Sequence, residues 1–353
     1  MKSPDTTTLL ELYNVPKAEP LTVENLGESG LLARILPRLK AFDPLLGPGD
    51  DAALIVAPGG KFVISVDTLV ENQDFRLCWP SGFCSSGFDI GWKSAAQNLS
   101  DINAMGAHAS SAVISLTLPP TTPVAWVEDF ADGFSTAVRE LGATRCAIGG
   151  GDLGRGGELS VTAAVTGDLA TEKPVLRSGA EPGDMVAVNG VLGVAAAGLA
   201  LLDSPLTYVE WTKDESALVL GQRRPRPPLA AGPAAARAGA TAMMDLSDGL
   251  LKDAQRMAIA SGVAFDLDTA KLSLDLERLK RASERLQIDP LNWVLGGGED
   301  HGLLATFPQS TQLPVGFRVI GRVMAIEVEA MGPAVYLDGK KPDVAKGYDH
   351  FAA

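Results

Sequence analysis

The sequence predicts an α/β protein of the α+β type, built from two mixed α/β domains. Its 353 residues exceed what a single hydrophobic core usually holds, so we expect two domains. Hydrophobic residues make up 46% of the chain and charged residues 21%, which is typical of a folded globular protein. In each half, short strand-like segments mix with amphipathic helical segments around turns rich in glycine and aspartate.

Three segments are predicted along the chain. Residues 1–20 contain prolines and little periodicity, which predicts a mobile extension. Between residues 168 and 182 the composition turns polar and prolines interrupt it, so we place a domain boundary there. We therefore expect an N-terminal domain of residues 21–170 and a C-terminal α/β domain of residues 171–353.

The N-terminal half begins with a short helix predicted over residues 28–36 and a strand predicted over residues 61–68. In that strand, larger apolar residues alternate with smaller or polar ones, the pattern of a half-buried strand. The larger residues are Phe62, Ile64 and Val66.

Four further segments of this half carry recognisable patterns. Apolar residues at helical spacing predict amphipathic helices over residues 89–105 and 126–141, each followed by a glycine. Strict alternation predicts a strand over residues 112–118. Residues 146–157 are rich in glycine and are interpreted as a turn between two apolar segments.

The C-terminal half contains strands and helices in a less regular order. A strand, a turn and a helix N-terminus are predicted within residues 242–253. The other predicted strands cover residues 185–188, 263–267, 303–307 and 317–323, and the other predicted helices cover residues 194–202 and 276–286.

The net charge of -13 argues against a nucleic-acid or membrane surface, because both need clustered lysine and arginine. The N-terminus lacks the apolar core of a signal peptide, and the longest aliphatic stretch, residues 191–202, is too short to span a bilayer. We therefore expect a cytoplasmic protein. Cys78, Cys84 and Cys146 show no CxxC spacing, and we interpret them as reduced packing residues.

Carboxylates recur at the ends of apolar runs, beside glycine, serine or threonine. A single occurrence is most simply a solvated turn, but the repetition suggests oxygen ligands for a hard cation such as Mg²⁺. The pattern occurs at Asp50 and Asp51, Asp67, Asp101, Asp152, Asp245 and Asp248, and Glu299 and Asp300.

Several nucleotide-site motifs are absent from the sequence. It has no GxxxxGK[ST] loop and no catalytic-loop set of protein kinases. Gly149, Gly151 and Gly154 formally match GxGxxG, but a predicted strand follows instead of the helix that a dinucleotide fingerprint requires. Two interpretations remain open: bare backbone admits phosphate or metal with Asp152 as a ligand, or the segment is a plain glycine hairpin. Acidic loops around Mg²⁺ would suit phosphoryl transfer, which needs mostly positioning and metal charge.

Taken in order, the motifs closely resemble those of the thiamine-monophosphate kinase family, from about Gly27 to the C-terminus. Single motifs also occur in aminoimidazole-ribonucleotide synthetase and selenophosphate synthetase, but the full set with its C-terminal tail is specific to the thiamine family. The motifs are Gly49-Asp50-Asp51-Ala52, Val66-Asp67-Thr68-Leu69-Val70, Asn98-Leu99-Ser100-Asp101, Gly150-Gly151-Asp152, Asp245-Leu246-Ser247-Asp248-Gly249, Gly297-Gly298-Glu299-Asp300 and Gly347-Tyr348-Asp349-His350-Phe351.

This resemblance implies transfer of the γ-phosphoryl group of ATP to thiamine monophosphate, which yields thiamine diphosphate and ADP. It also implies a homodimer in which the N-terminal sheets of two subunits pair into a barrel. The implied Mg²⁺ ligands are Asp51, Asp67, Asp101, Asp152, Asp245 and Asp248, with Asp50 and Thr68 nearby; the implied ATP contacts are Gly151, Asp152, Arg177 and Ser247; the implied thiamine contacts are Glu299 and Tyr348.

These implied roles agree with elementary chemistry. The acceptor phosphate is largely ionised near neutral pH, so no strong general base is needed. Mg²⁺ would offset the repulsion between two polyanions, and Arg177 could clamp a phosphate. Glu299 can accept hydrogen bonds from an aminopyrimidine, and Tyr348 offers an aromatic face to a thiazolium cation.

The sequence departs from the family at Asp74, where the family usually has a histidine that contacts the substrate, and the following loop to about Asp89 is longer than usual. Asp74 is interpreted either as facing the thiazolium charge or as a solvated loop residue. Two alternatives to the kinase remain: an ATP-dependent synthetase of the aminoimidazole-ribonucleotide or selenophosphate type, and a non-catalytic dimer that binds nucleotide and metal.

Overall fold

A computed structural model describes residues 21–38, 60–326 and 333–343 of the chain. The mixed α/β architecture with two sheet-containing domains that the sequence predicts is confirmed. The extension at residues 1–20 and the predicted site residues Asp50, Asp51 and Tyr348 lie outside the described residues.

The first sheet has four strands in the order β1-β4-β2-β3. Neighbouring strands are antiparallel except for β2 and β3, which are parallel. The strands are β1 (Val63–Val70), β2 (Ala107–Leu118), β3 (Ala147–Arg155) and β4 (Ser160–Leu169).

Helices cover one side of this sheet. Helix α1 spans Val23–Ile35, α2 spans Gly87–Ala104 and α3 spans Val124–Glu140. Helices α2 and α3 bury an apolar core that includes Ile102 and Phe134 against the sheet. Helix α2 begins at a capping box in which the Ser86 hydroxyl and the Asp89 carboxylate each satisfy the other residue's backbone N–H.

The second sheet has six strands in the order β10-β7-β9-β5-β8-β6, and only β10 and β7 are parallel. Its strands are β5 (Met185–Asn189), β6 (Ala242–Asp245), β7 (Ala264–Leu267), β8 (Leu303–Phe307), β9 (Phe317–Met324) and β10 (Val335–Leu337). Its helices are α4 (Val194–Leu202), α5 (Lys213–Arg223), α6 (Ala231–Arg237), α7 (Leu250–Ser261), α8 (Ser273–Leu286) and α9 (Pro290–Gly296).

The alternating pattern of β1 suggests that its larger apolar residues are buried, but they are exposed. The predicted period of two is correct, but the larger apolar residues point away from the helices. Their exposed fractions are 57% for Phe62, 65% for Ile64 and 60% for Val66. We call this side of the sheet the open face. The opposite side, which carries Ser65 and Asp67, packs against α2.

The predicted glycine turn at residues 146–157 is also corrected, because most of it forms strand β3 beside β2. A Cβ atom at Gly151 would lie 1.7 Å from the Ile114 carbonyl oxygen, so only glycine permits this approach of the two strands. A glycine-rich segment thus forms a strand here because pairing with β2 outweighs its low strand propensity.

Helix α2 also joins the two domains. The Asp89 carboxylate lies 2.5 Å from Arg223 Nη2 and 2.6 Å from Arg224 Nε. Trp92 Nε1 donates to the Pro225 carbonyl at 2.8 Å. Because α2 contacts both cores, residues on it can face groups from the second domain.

The cysteines only partly match their predicted packing role. Cys146 is buried, whereas Cys78 and Cys84 are exposed. Across residues 21–38, 60–326 and 333–343, no helix combines the length and the apolarity that crossing a bilayer requires.

Candidate active site

One wall of the site is formed by strand β1 and helix α2. Asp67 lies on β1, and Ser65 lies two residues earlier on the same face. The Ser65 hydroxyl donates to Asp101 Oδ2 at 2.5 Å, and the Asp67 backbone N–H donates to Asn98 Oδ1 at 3.2 Å. The strand and the helix therefore hold Asp67 and Asp101 side by side.

The other wall comes from the second domain, where two loops run next to each other. Strand β6 ends at Asp245, and the loop after α9 carries Glu299 and His301. The Glu299 N–H donates to the Ser247 carbonyl at 2.8 Å, and the His301 N–H donates to the Leu246 carbonyl at 3.0 Å. These bonds place the imidazole beside Asp245, with His301 Nδ1 3.5 Å from Asp245 Oδ2.

Glycine permits this approach of the two loops. A Cβ atom at Gly298 would lie 2.4 Å from the Ser247 carbonyl oxygen. No side chain fits in that space. Gly298 therefore has a structural role, which is to let one site loop pack against the other.

Asp67, Asp101, Asp245 and His301 form what we call the carboxylate pocket. Loss of solvation raises the pKa of Asp101 to about 7, and the charges of Asp245 and Asp67 add to that effect. Loss of solvation also raises the pKa of Asp67, and the Asp245 charge acts in the same direction. The pocket thus concentrates negative charge from both domains in a small volume.

His301 is the basic side chain that the pocket itself provides. Burial alone would lower the imidazole pKa, but contact with Asp245 and the charges of Asp245, Glu299 and Asp101 outweigh burial and raise it. Sequence analysis found no role for this histidine. The available signal was its position directly after Glu299 and Asp300 in the glycine-rich motif.

Asp300 anchors the loop that carries Glu299 and His301. Its carboxylate accepts the backbone N–H groups of Gly193 and Ala195, at 2.5 and 2.7 Å, at the start of helix α4. Glu299 and His301 have φ values of 66° and 52°, in the left-handed region that is uncommon for such residues. The anchor holds this strained backbone in place.

Lys93 connects helix α2 to Glu299. Its side chain is 2% exposed, and Nζ lies 2.6 Å from Glu299 Oε1. The same Nζ donates to the Asp74 carbonyl at 3.1 Å, and Gln222 Nε2 approaches Glu299 Oε2 at 3.4 Å. Glu299 is thus oriented by groups from both domains.

Asp248 lies beside the pocket, but its carboxylate already has basic partners. Arg256 Nη2 is 2.6 Å and Lys252 Nζ is 3.1 Å from Asp248 Oδ2. The neighbouring Asp253 carboxylate accepts the backbone N–H of Asp248 at 3.0 Å. Burial raises the pKa of Asp253 to about 7.

Thr68 and Asp152 lie on the open face, away from the carboxylate pocket. Thr68 pairs with Thr162, Thr162 with Ser115, and Ser115 with Asp152, so these side chains project from the same side of the sheet. The hydroxyls of Thr68 and Thr162 are 2.8 Å apart on that side. Asp67 projects to the opposite side, so within one chain Asp152 does not join it.

Three other predicted contact residues have different surroundings. Ser247 accepts the Glu299 N–H through its carbonyl. Arg177 is exposed in the segment of the chain that connects β4 to β5, and its carbonyl accepts from the Ser261 hydroxyl at 3.3 Å. Asp74 Oδ2 accepts the Val70 N–H at 2.8 Å, so its carboxylate closes its own turn.

The pocket offers the ligand atoms that Mg²⁺ prefers, since Asp67, Asp101 and Asp245 each contribute a carboxylate. Asp245 Oδ2 is buried without a hydrogen-bond partner, and so are both His301 ring nitrogens, as far as the described residues show. In the same part of the chain, no three acidic, histidine or cysteine side chains are arranged to hold a metal ion by themselves. Mg²⁺ commonly takes one or two carboxylates and fills its remaining positions with water and phosphate, so the residues fit it.

The structure brings together part of the predicted set. Asp67, Asp101 and Asp245 meet in the pocket, and Glu299 lies next to it. Sequence analysis missed Ser65, Lys93 and His301. For Ser65 the available signal was its spacing of two residues from Asp67 on a strand, which places both on one face.

Family models match both halves of the chain. A model described as AIR synthase related protein, N-terminal domain, matches residues 49–169, and the corresponding C-terminal domain model matches residues 181–303.

Individual proteins are similar over nearly the whole chain. Thiamine-monophosphate kinase of Mycobacterium tuberculosis is 42% identical over 335 residues, which covers 94% of each chain. The Escherichia coli protein of the same name is 36% identical over 343 residues, covering 92% of this chain and 98% of its own. A solved structure of AaThiL complexed with AMPPCP and TMP is 32% identical, covers 95% of this chain and 100% of that one, and has a TM-score of 0.73.

Three findings agree. Family models match both halves of the chain, named relatives are more than 30% identical over almost its full length, and a solved structure shares its fold. The chain belongs to the thiamine-monophosphate kinase family, within the AIR synthase related proteins.

Proposed function

We propose that this protein transfers the γ-phosphoryl group of ATP to thiamine monophosphate and releases thiamine diphosphate and ADP. The observation that carries the proposal is the carboxylate pocket, in which Asp67 and Asp101 of one domain face Asp245 of the other. Such a pocket repels phosphate by itself and becomes a phosphate site only when cations occupy it. A relative bound to an ATP analogue and TMP supports the choice of substrates.

Asp67, Asp101 and Asp245 are the residues that would hold Mg²⁺. Bound there, Mg²⁺ would neutralise phosphate oxygens and bring the two anionic substrates together. The remaining ligands implied by the family resemblance stay part of the proposal: Asp50, Asp51, Thr68, Asp152 and Asp248.

Neighbouring side chains prepare the carboxylates for this role. The Ser65 hydroxyl orients Asp101, and Asn98 ties the Asp67 backbone to helix α2. A ligand whose position is set before the cation arrives loses less conformational freedom on binding. No general base is assigned, because the acceptor phosphate is already ionised near neutral pH.

Glu299 is proposed to accept hydrogen bonds from the aminopyrimidine ring of thiamine. Lys93 pairs with the Glu299 carboxylate and fixes its direction through the 2.6 Å contact. Asp74 contributes its carbonyl to Lys93, while its carboxylate is used within its own turn. Asp74 therefore supports the position of Lys93 in this proposal.

Four other roles stay predictions. Tyr348 is predicted to contact thiamine, and the ATP contacts are predicted to be Gly151, Arg177 and Ser247.

A homodimer through the open face is also proposed. Three large apolar side chains are exposed on this face: Ile64 at 65%, Val66 at 60% and Val113 at 46%. Neighbouring exposed apolar side chains of this kind are typical of a surface that binds another protein. Two such faces brought together would form the barrel that the family resemblance implies. Because Thr68 and Asp152 lie on the same face, dimerisation would bring these predicted ligands of both copies into one interface.

The division of labour between domains remains a proposal as well. Residues 21–170 would supply metal binding, ATP binding and dimerisation, and residues 171–353 would supply Asp245 and the thiamine contact Glu299. A cytoplasmic location stays a prediction from sequence.

The test is separation of the products after incubation of purified protein with ATP, Mg²⁺ and thiamine monophosphate. We expect thiamine diphosphate and ADP in equal amounts. Parallel reactions with EDTA, or with unphosphorylated thiamine as acceptor, are expected to give no thiamine diphosphate. Hydrolysis of ATP without thiamine diphosphate, or product formation that EDTA leaves unchanged, would overturn the proposal.

A further inference from the structure

Cys78 and Cys84 lie opposite each other in a short two-stranded ribbon, residues 77–85, between β1 and α2. We call it the cysteine ribbon. The Trp79 N–H donates to the Phe83 carbonyl, and the Ser85 N–H donates to the Leu77 carbonyl, both at 2.8 Å. These bonds flank the cysteines, which therefore form a non-hydrogen-bonded antiparallel pair.

That pairing matches the geometry of a disulfide. Residues of a non-hydrogen-bonded pair have Cα atoms about 4.5 Å apart and side chains on the same face. Disulfides in proteins span Cα separations of roughly 4.4–6.8 Å. The bond between Cys78 and Cys84 could thus form with little backbone movement.

The two thiols are also accessible and in contact with each other. Both side chains are exposed, and contact with Cys78 raises the pKa of the Cys84 thiol. Both sulfurs are therefore within reach of an oxidant and of each other. Cys146 differs, because burial raises the pKa of its thiol to about 12.

The inner face of the cysteine ribbon is held by the second domain. Trp79 belongs to the core of that domain, and its Nε1 donates to the Ser85 hydroxyl at 2.9 Å. The Phe83 ring stacks on Trp211 with centroids 6.0 Å apart, and the Ser81 N–H donates to the Leu202 carbonyl at 3.2 Å. Cys78 and Cys84 lie side by side on the opposite, outer face of the ribbon, where both are exposed.

We propose that Cys78 and Cys84 are an oxidative modification site, which a low-molecular-weight disulfide converts into an intramolecular disulfide. This inference goes beyond the phosphoryl-transfer activity and does not depend on it. The site lies outside the carboxylate pocket, in the loop that is longer than usual for the family.

The chemistry is two successive thiol–disulfide exchanges. The thiolate of one ribbon cysteine attacks one sulfur of the oxidant, the oxidant's S–S bond breaks, and the leaving thiolate takes a proton. The sulfur of the other ribbon cysteine, after losing its proton, then attacks the protein sulfur of the mixed disulfide and displaces the second thiol. In total the protein loses two electrons and two protons, and the oxidant is reduced to two thiols.

The experiment uses the full chain, reduced and freed of reductant, then incubated with oxidised glutathione. Trypsin cleaves after Arg76 and Lys93, so both cysteines fall in the peptide of residues 77–93. We expect that peptide to become lighter by two hydrogen atoms and both exposed thiols to be lost from a thiol count on the folded protein.

Three serine variants give matched controls. Cys78→Ser and Cys84→Ser each keep one exposed thiol and are expected to accumulate the mixed disulfide with glutathione, because no second thiol displaces it. Cys146→Ser is expected to oxidise like the wild type. A wild-type product with glutathione on both cysteines, disulfide-linked dimers, or two unreacted thiols would each overturn the inference.

Discussion

The two ends of helix α2 carry aspartates with opposite surroundings. Asp89, in the first turn, is buried between Arg223 and Arg224. Burial alone would raise its pKa, but these ion pairs and the Ser86 N–H outweigh burial and lower it. Asp101, in the last turns, faces Asp67 and Asp245, and its pKa is raised to about 7 by loss of solvation and by those charges.

This contrast separates a carboxylate that is paired within the protein from one that we propose as a cation ligand. At Asp89 the protein supplies the neutralising cations itself, and the pair joins the two domains. Around Asp101, the described residues place one basic side chain, His301, beside the carboxylates of Asp67, Asp101 and Asp245. We therefore expect cations from solution to balance the remaining negative charge. Unbalanced charge of this kind is typical of functional sites.

The largest effect is expected from Asp101→Asn, which removes a proposed cation ligand. Turnover should fall by ~10²–10³-fold, since charge stabilisation by a bound cation is worth several kcal/mol. The free energy of unfolding should not decrease in metal-free buffer, because a repulsive charge is removed. Steady-state kinetics and urea unfolding measure both quantities. Asp129→Asn, on the exposed side of α3, is the matched control, and full activity of Asp101→Asn would remove Asp101 from the site.

Asp89→Asn tests the other end of the helix and should act on stability. It leaves two arginines at the domain junction without their partner, and removing one member of a buried ion pair costs about 3 kcal/mol or more. Urea unfolding followed by tryptophan fluorescence gives the change. Asp132→Asn breaks an exposed pair with Arg38, for which a change below about 1 kcal/mol is expected. Equal losses in both variants would contradict the structural role of Asp89.

A smaller effect is expected from Lys93→Met, which removes the cation beside Glu299. The KM for thiamine monophosphate should rise about tenfold, equivalent to about 1.4 kcal/mol, while kcat changes less. Lys93→Arg should recover part of the loss, since it keeps the charge. Lys280→Met, at an exposed position of α8, serves as control. A fall in kcat with unchanged KM would place Lys93 elsewhere in the reaction.

The smallest effect concerns acid stability. Because the folded-state pKa of Asp89 is lowered, its stabilising contribution is present above its unfolded value near 3.8 and is lost as pH falls through the folded pKa. The stability difference between wild type and Asp89→Asn should therefore stay constant from pH 7 to about pH 4 and shrink below that. Urea midpoints at a series of pH values measure it. A difference that already shrinks between pH 7 and pH 5 would show that the folded pKa is raised instead.

Much of the carboxylate pocket was predictable from sequence. Asp67, Asp101 and Asp245 each follow or lie within a strongly periodic apolar segment, and that local pattern indicates both the element and its polar end. The chemistry of the residues then indicates the class of ligand, because clustered carboxylates suit hard cations.

Contacts between the domains were not predictable in the same way. Lys93 and Glu299 lie on separate elements far apart in the chain, and nothing local to either residue indicates that they meet. The same holds for His301 beside Asp245, since the pKa of the imidazole depends on burial and on charges brought in by other loops.

The sequence by itself determined the period of the strands and helices that it predicted correctly, the mixed α/β class and the chemical types available for a site, because these follow from local backbone preferences and side-chain chemistry. Only the tertiary structure decided that the apolar side of β1 is open, that the glycine segment is a strand, and which carboxylates share a pocket. Burial and partner charges arise when distant segments pack, and they lower the pKa of Asp89 and raise the pKa of Asp101.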